Sequence, residues 1–500
     1  MGSSDRFTFQ RPLWMASYQT PMHPSYAGNP LILALPRAYT PEQALHCLRL
    51  QPPYEEQWRL RPATERMEIL LNAADFFQPL TQHLDLEQRF SRMLRRGYVG
   101  RNPLDHGYWA HTREQCKAMS EFVPGTTHQA ACVQGFTLLG ISGIGKSRAL
   151  ERILSLYPQV VLHEAFAEKR FTWVQLVWLK LDCPQNGSLK GLCQGFFEEV
   201  DAILGTNYYA TYAVHGKAST DQMLVFMARV ARLHSVGTIV IDELQNLRQA
   251  NGNMAERVLN FFVQLDNTIG VPIILVGTPK ALDLLAGEFR RARRAVGQGD
   301  PIWNRMPEQD ADWQLLIDTL WGYQLVREPC PLTPELRHLL YEESQGITDI
   351  AIKLYFLAQM NAIFQGKEQI TAKLLHQTAQ RDLQLVQPFV TALRTNDQRA
   401  IRVYEDIRSI DLRATSAVAL NAAPSTPSTA SLSPSAITAP VSSEQSVLNE
   451  DPKASQTHPP KKETVAPETG YASFAERGLT RPITTIYADE PGEWCGEQHP

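Results

Sequence analysis

Cysteine is sparse. Seven occur in 500 residues, at positions 47, 116, 132, 183, 193, 330 and 495. None is spaced as Cys-x-x-Cys, so a zinc ribbon or finger is not expected. The odd number and the long chain argue against a disulfide scaffold and predict reduced thiols. No apolar run reaches the about 18 residues that a membrane-spanning helix needs. The opening residues Met1-Gly2-Ser3-Ser4-Asp5-Arg6 lack the apolar core of a secretory leader. Arg6 also stands where a myristoylation signal needs Ser or Thr. These absences predict a cytoplasmic protein. A charge excess is missing too: 48 Lys and Arg against 52 Asp and Glu give a net charge of −4. That excludes a globally basic nucleic-acid binder, but not one that uses a single basic face.

What is present is ordinary globular composition, 43% hydrophobic and 20% charged. The length predicts about three units. Residues 1–60, rich in Pro, Tyr and Gln, read as an extended arm with short helices. Within it, Pro30-Leu31-Ile32-Leu33-Ala34-Leu35-Pro36 is an apolar patch, either packed on its own domain or a docking peptide. Residues 61–130 read as a helical region, with one helical pattern across 62–96 carried by Met67, Leu70, Leu71, Ala74, Phe76, Phe77, Leu84, Leu86, Phe90 and Leu94. Residues 131–311 alternate short β-branched runs with helical ones, as expected of a parallel sheet flanked by helices. The strand-like runs are 136–139, 173–181, 238–241 and 272–276, with helices expected over 223–233 and 255–265. Residues 312–412 read as a small helical lid. Residues 413–500 read as a disordered Ala/Ser/Thr/Pro-rich tail ending in an aromatic motif with Tyr471, Phe474, Tyr487 and Trp494.

The chemistry concentrates in the third unit. Gly140-Ile141-Ser142-Gly143-Ile144-Gly145-Lys146-Ser147 fits the phosphate-binding pattern G-x-x-x-x-G-K-[ST] in full. Gly140, Ser142, Gly143, Ile144, Gly145, Lys146, Ser147 and the following Arg148 are the candidate nucleotide contacts. Lys146 would reach the terminal phosphates, and the Ser147 hydroxyl would ligate Mg²⁺. An expected strand enters the loop and an expected helix leaves it, which offers the positive end of its dipole. A second apolar strand ends in Asp242-Glu243. Asp242 is the candidate second Mg²⁺ ligand, and Glu243 the candidate base that polarises the attacking water. Thr278, at the end of the next strand, either orients that water or caps the helix that starts at Pro279. Arg290, Arg291, Arg293 and Arg294 form a cationic cluster that serves either as a solvated face or at a subunit interface. In the second role, Arg290 or Arg291 is the candidate finger acting on a neighbour's phosphate.

This order of motifs resembles the AAA+ ATPases over roughly residues 100–385. Within them the chain resembles the transposon-encoded regulators of the TnsC/TniB type. The strings that carry this are Gly97-Tyr98-Val99-Gly100-Arg101-Asn102-Pro103, Gln175-Leu176-Val177-Trp178-Leu179-Lys180-Leu181-Asp182-Cys183-Pro184 with Gly187-Ser188-Leu189-Lys190-Gly191-Leu192-Cys193, Asp242-Glu243-Leu244-Gln245-Asn246-Leu247, and Gly346-Ile347-Thr348-Asp349-Ile350-Ala351-Ile352-Lys353-Leu354. The resemblance implies a bacterial protein that uses ATP and Mg²⁺ and forms a homo-oligomeric ring or filament on duplex DNA. It also implies a link between a TniQ/TnsD-like target selector and TnsA/TnsB-like transposase subunits, with hydrolysis controlling disassembly. It departs at the lid. Many AAA+ lids carry an arginine soon after the lid glycine, whereas here Asp349 follows Gly346-Ile347-Thr348 and Lys353 stands one turn on. That departure implies weak coupling of the lid to the nucleotide and slow hydrolysis.

Lys169, Arg170, Lys180 and Lys190 are the candidate DNA contacts, directed at phosphates without base reading, or else exposed solubilising charges. The alternative functions are a STAND-like ATPase switch and a replication-initiator-like scaffold. The Ala/Ser/Thr/Pro tail stands where initiator relatives usually append a winged helix. A third is a passive adaptor that binds ATP without turnover.

Overall fold

The computed structural model describes residues 14–72, 75–105, 108, 135–214, 218–249, 270–281 and 299–403. The expected helix at 255–265, the arginines 290, 291, 293 and 294, and the tail from 413 onward lie outside the described residues.

Five parallel strands build the central sheet. They are β2 (Phe136–Gly140), β5 (Trp178–Asp182), β6 (Thr238–Asp242), β7 (Ile273–Gly277) and β8 (Ile302–Trp303), in the spatial order β5-β6-β7-β2-β8. The inner strands β2, β6 and β7 are buried on both faces, as a sheet covered on both sides requires. The alternation is visible residue by residue. Leu138, Val240, Ile274 and Val276 enter one core, which also holds Ala149, Leu150 and Ile153 of helix α5 (Lys146–Leu154). Leu139, Ile239, Ile241 and Ile273 enter the other, with Phe196 and Phe197 of α6 (Leu189–Leu204) and Met223 and Met227 of α7 (Thr220–Leu233). Helix α7 starts at a capping box, Ser219 with Gln222.

The expected single strand 173–181 is two strands in two sheets. Up to Leu176 it belongs to β4 (Lys169–Leu176), which pairs antiparallel with β3 (Val160–Phe166). From Trp178 it is β5 and pairs with β6. Val177 is the switch: its N–H goes to Gln159 and its carbonyl accepts from Thr238. Both halves are apolar and β-branched, so a change of partner leaves no mark in the pattern. The two-residue strand β1 (Trp14–Met15) adds to β3 in parallel.

The expected helix across 62–96 is also two elements, α3 (Ala63–Asn72) and α4 (Thr81–Val99). Pro79 lacks the N–H a continuing helix needs. Phe77 instead exchanges backbone hydrogen bonds with Leu50. Within the N-terminal region, Leu31, Ile32, Leu33, Ala34 and Leu35 are all buried, at most 8% exposed. Residues of this patch sit in the core that contains Phe90 and Leu94 of α4, so it is not free to dock elsewhere.

The lid is built from α8 (Ala311–Trp321), α9 (Pro334–Ser344), α10 (Thr348–Phe364) and α11 (Ala372–Asp382). Its core, around Trp313, Leu320, Leu354 and Tyr355, also takes in Leu70 of α3 and the following Phe76 and Leu80. Gly346 carries the lid onto the sheet side. Its φ is +74°, and a Cβ there would lie 2.0 Å from the carbonyl oxygen of Met306. Among the described residues, Cys183, Cys193 and Cys330 are free thiols. Among the described residues, no helix is long and apolar enough to cross a membrane.

Candidate nucleotide site

The strand order places β7 between the Asp-Glu strand and the loop strand. The carboxyl ends of β6, β7 and β2 therefore open side by side, where ligands of open α/β sheets bind. A cleft of about 560 Å³ lies there. Its floor is the loop: Ser142, Gly143, Ile144, Gly145, Lys146, Ser147 and Arg148 all line it. Gly145 holds the N-cap position of α5 at φ +93°, a conformation that favours glycine, and no side chain caps the helix. The first N–H groups of α5 are thus left to an anionic ligand.

Lys146 is 8% exposed, and its ammonium donates to the carbonyls of Gly140 at 2.7 Å and Ile141 at 2.9 Å. Those are neutral acceptors, which a phosphate oxygen replaces with a charge-assisted bond. Arg148 lines the cleft and pairs with Asp75 at 2.8 Å.

Asp242 and Glu243 diverge sharply. Asp242, 4% exposed, is the last residue of β6, and its Oδ1 accepts the Glu243 N–H at 2.9 Å. Glu243 sits at φ +57°, a left-handed conformation unusual for a residue with a side chain. Its carboxylate accepts from the amide of Gln245. Burial, with Asp242 beside it, pushes the Glu243 carboxyl up, against a smaller opposing pull from Lys146. The amide oxygen of Gln245 takes the Thr278 N–H at 3.1 Å. One side chain thus links the candidate base to the end of the next strand. Gln245 was legible only as part of the Asp242–Leu247 string, with no role attached. Thr278 also accepts the N–H of Ala281 at its carbonyl, so the residues after it do turn, as a short 3₁₀ segment, Pro279–Ala281.

The walls come from two segments outside the loop and the strand ends, and only the lid one, through Asp349, had been singled out in the sequence. Phe76, Phe77, Gln78, Leu80 and His83 form one, and Leu316, Thr348, Asp349 and Ile352 of the lid another. Burial pushes the His83 imidazole down to about 3, so it is neutral, and it lies against Phe77 and Trp303. The lid meets the loop directly: the Thr348 hydroxyl and the Asp349 N–H both donate to the Gly143 carbonyl, at 3.0 and 3.1 Å. Asp349 itself is ion-paired to Lys353 at 2.7 Å.

The residues that could hold a magnesium ion, Ser147 and Asp242, offer hard oxygens, a hydroxyl and a carboxylate, which would suit that ion. Both line the cleft. The ion, when bound, would neutralise phosphate charge.

The four candidate DNA contacts separate. Lys169 and Arg170 are exposed at the start of β4, just after a two-residue hairpin turn, Ala167-Glu168, with both φ values positive. Lys190 is exposed in the first turn of α6. Lys180 does not belong with them. Its ammonium is 2.6 Å from Glu151 of α5 and 3.6 Å from Asp242. It sits among the site's carboxylates, not on an outer face. The string 97–103 proves to be a clamp: Tyr98 donates to Ser235, and buried Arg101 donates to the carbonyls of Gly97, Val236 and Gly237.

Residues 134–285 match the family described as the AAA domain. No curated protein matches the chain. Among solved structures, the chain is similar to the ORC2 protein of Aeropyrum pernix, in ADPNP and ADP complexes, at 12% identity over 56% of this chain and 69% of that one, TM-score 0.35. A Walker-type ATPase of Pyrococcus abyssi matches at 17% identity over 62% and 87%, TM-score 0.34. The Holliday junction branch migration motor RuvB of Thermotoga maritima matches at 14% over 61% and 81%, TM-score 0.29. None of these likenesses is close enough to transfer a role to a residue.

Proposed function

We propose that this chain is an ATP-hydrolysing, DNA-bound regulator of transposition. One observation carries the ATPase part: Lys146, Ser147, Asp242, Glu243 and Thr278 line a single cleft at the ends of three neighbouring strands. In this reading the loop amides and Lys146 hold the phosphates, and Ser147 and Asp242 hold the magnesium ion. Glu243 polarises water, and Thr278 steadies it. The nucleotide's adenine would lie between the 76–83 segment and the lid. The transposition part rests on the four sequence strings given above, in particular Gln175–Pro184 and Gly346–Leu354. On it, the protein assembles on duplex DNA as a ring or filament, meets a target selector and the transposase, and leaves on hydrolysis. The arginines at 290–294 act between subunits.

A second reading, a passive adaptor that binds ATP without turnover, is favoured by Asp349, an ion-paired carboxylate that lines the cleft from the lid.

The test is electron microscopy of the protein with duplex DNA and ATP, ADP or a non-hydrolysable analogue. DNA-bound oligomers are expected with the analogue and not with ADP. Their absence with the analogue removes the transposition reading. Lys146→Ala is expected to abolish nucleotide binding and assembly. Glu243→Gln is expected to assemble and to lose turnover by about 100-fold or more, the scale of general-base catalysis. Equal ATPase rates in Glu243→Gln and the unaltered protein would remove Glu243 from its role.

A further inference from the structure

We propose that Lys180 is a built-in counter-cation of the magnesium site, a positioning residue that makes nucleotide binding depend on the divalent ion in a tunable way. The inference rests on the nucleotide-site reading above. Three elements meet at its ammonium. Lys180 comes from the middle of β5, in register with Val240 of β6. Glu151 comes from the second turn of α5, one turn beyond Ser147 and on the same helix face. Asp242 comes from the end of β6. The ammonium touches Glu151 Oε1 at 2.6 Å and stands 3.6 Å from Asp242 Oδ2. The other oxygen of Asp242 is occupied by the Glu243 N–H. Oδ2, which faces Lys180, is then the oxygen with the more open lone pairs for a metal.

Charge arithmetic gives this contact its consequence. Glu151, Asp242, Glu243 and Asp182 all act electrostatically within this group, and Lys146 and Lys180 are the cations among them. Lys146 is directed at the loop carbonyls. Lys180 is thus the cation that holds Glu151 and Asp242 together without metal. A divalent ion arriving at Asp242 competes with it, and the ammonium retains Glu151 as an anchor. Lys180 thereby lowers the affinity for Mg²⁺ and supports binding of the metal-free triphosphate. Glu151 does the opposite, by drawing the ammonium off Asp242 and adding negative potential.

The two residues therefore predict shifts of opposite sign. Binding of a fluorescent ATP analogue to the full chain is measured in EDTA and across a magnesium titration. Lys180→Met is expected to bind the metal-free analogue about 3-fold or more weakly and to reach half-saturation at about 3-fold less Mg²⁺. Glu151→Gln is expected to need about 3-fold more Mg²⁺. Lys180→Arg, which keeps the charge, is expected to stay near the unaltered protein. If Lys180→Met and Glu151→Gln shift the magnesium midpoint in the same direction, or not at all, the proposal is overturned. A merely structural role would weaken binding equally with and without the metal, which also overturns it. Failure of the underlying site looks different: the unaltered chain would bind no analogue, or Lys146→Ala would bind it unchanged.

Discussion

At the scale of single residues, the site turns on how Glu243 is held. Its backbone is left-handed, its neighbour Asp242 is buried and anionic, and its carboxylate leans on the Gln245 amide. Burial and Asp242 raise its pKa, while the hydrogen bond from Gln245 favours the charged form and lowers it. If Glu243 is the general base it works deprotonated, and turnover should fall as pH drops through that pKa. Gln245→Leu removes the lowering influence. The acid limb of the kcat profile should then move to higher pH than in the unaltered protein. A limb that stays in place, or moves down, would show that Gln245 does not act on the base. The residues proposed to carry the chemistry, Gly140 to Ser147 and Asp242-Glu243, were legible because phosphate and metal demand fixed residue types at fixed spacing. Gln245 was not, because an amide two positions beyond a carboxylate has no signature until the chain turns.

At the scale of elements, the helices were mostly legible and their partners were not. Periodicity marks an apolar face but not what covers it. Helix α3 showed a helical pattern, yet nothing in it said that the lid would be its partner. The buried side chain of Arg66 makes that attachment. It donates to both oxygens of Glu368 at 2.7 Å, to the Leu325 carbonyl at 2.8 Å and to the Arg61 carbonyl at 3.0 Å. The same blindness explains the strand read as one from 173 to 181, since hydrogen-bond partners are chosen by tertiary packing. The pair also sets an asymmetry. Arg66 has no exposed side-chain surface, whereas Glu368 keeps 16%. Glu368→Gln strands a charge that cannot reach water and should cost about 3 kcal/mol. Arg66→Met leaves a carboxylate able to turn outward and should cost less. Urea denaturation of both variants checks this, and a larger loss for Arg66→Met would reverse the argument. The Arg66 hydrogen bonds hold the Glu368 pKa below the ordinary range. The pair's contribution is therefore present above the ordinary carboxylate pKa and lost as pH falls from there through the lowered pKa of the folded state.

At the scale of the whole molecule, a net charge of −4 leaves no general attraction to a polyanion. If the protein holds duplex DNA, a few local cations must do it, and repetition around an oligomer must multiply them. Lys180 is withdrawn from that set by Glu151 and Asp242, and what remains is unequal. Lys169 and Arg170 project side by side in sequence from an exposed hairpin end, held there by the β3–β4 pairing. Lys190 stands alone in the first turn of a helix, one exposed cation where the hairpin end carries two. The hairpin pair is therefore the better phosphate contact. Each phosphate neutralised contributes a slope of about −0.9 to the dependence of log affinity on log salt. Replacing both residues, Lys169→Ala with Arg170→Ala, should weaken DNA binding and flatten that slope by about 1 to 2 per subunit in contact. Binding of the fluorescent ATP analogue should not change, because neither residue lines the cleft. Lys190→Ala, which removes one cation and not two, should flatten the slope by no more than about 1. A salt slope that survives the hairpin double substitution would place the DNA contact on another face of the molecule.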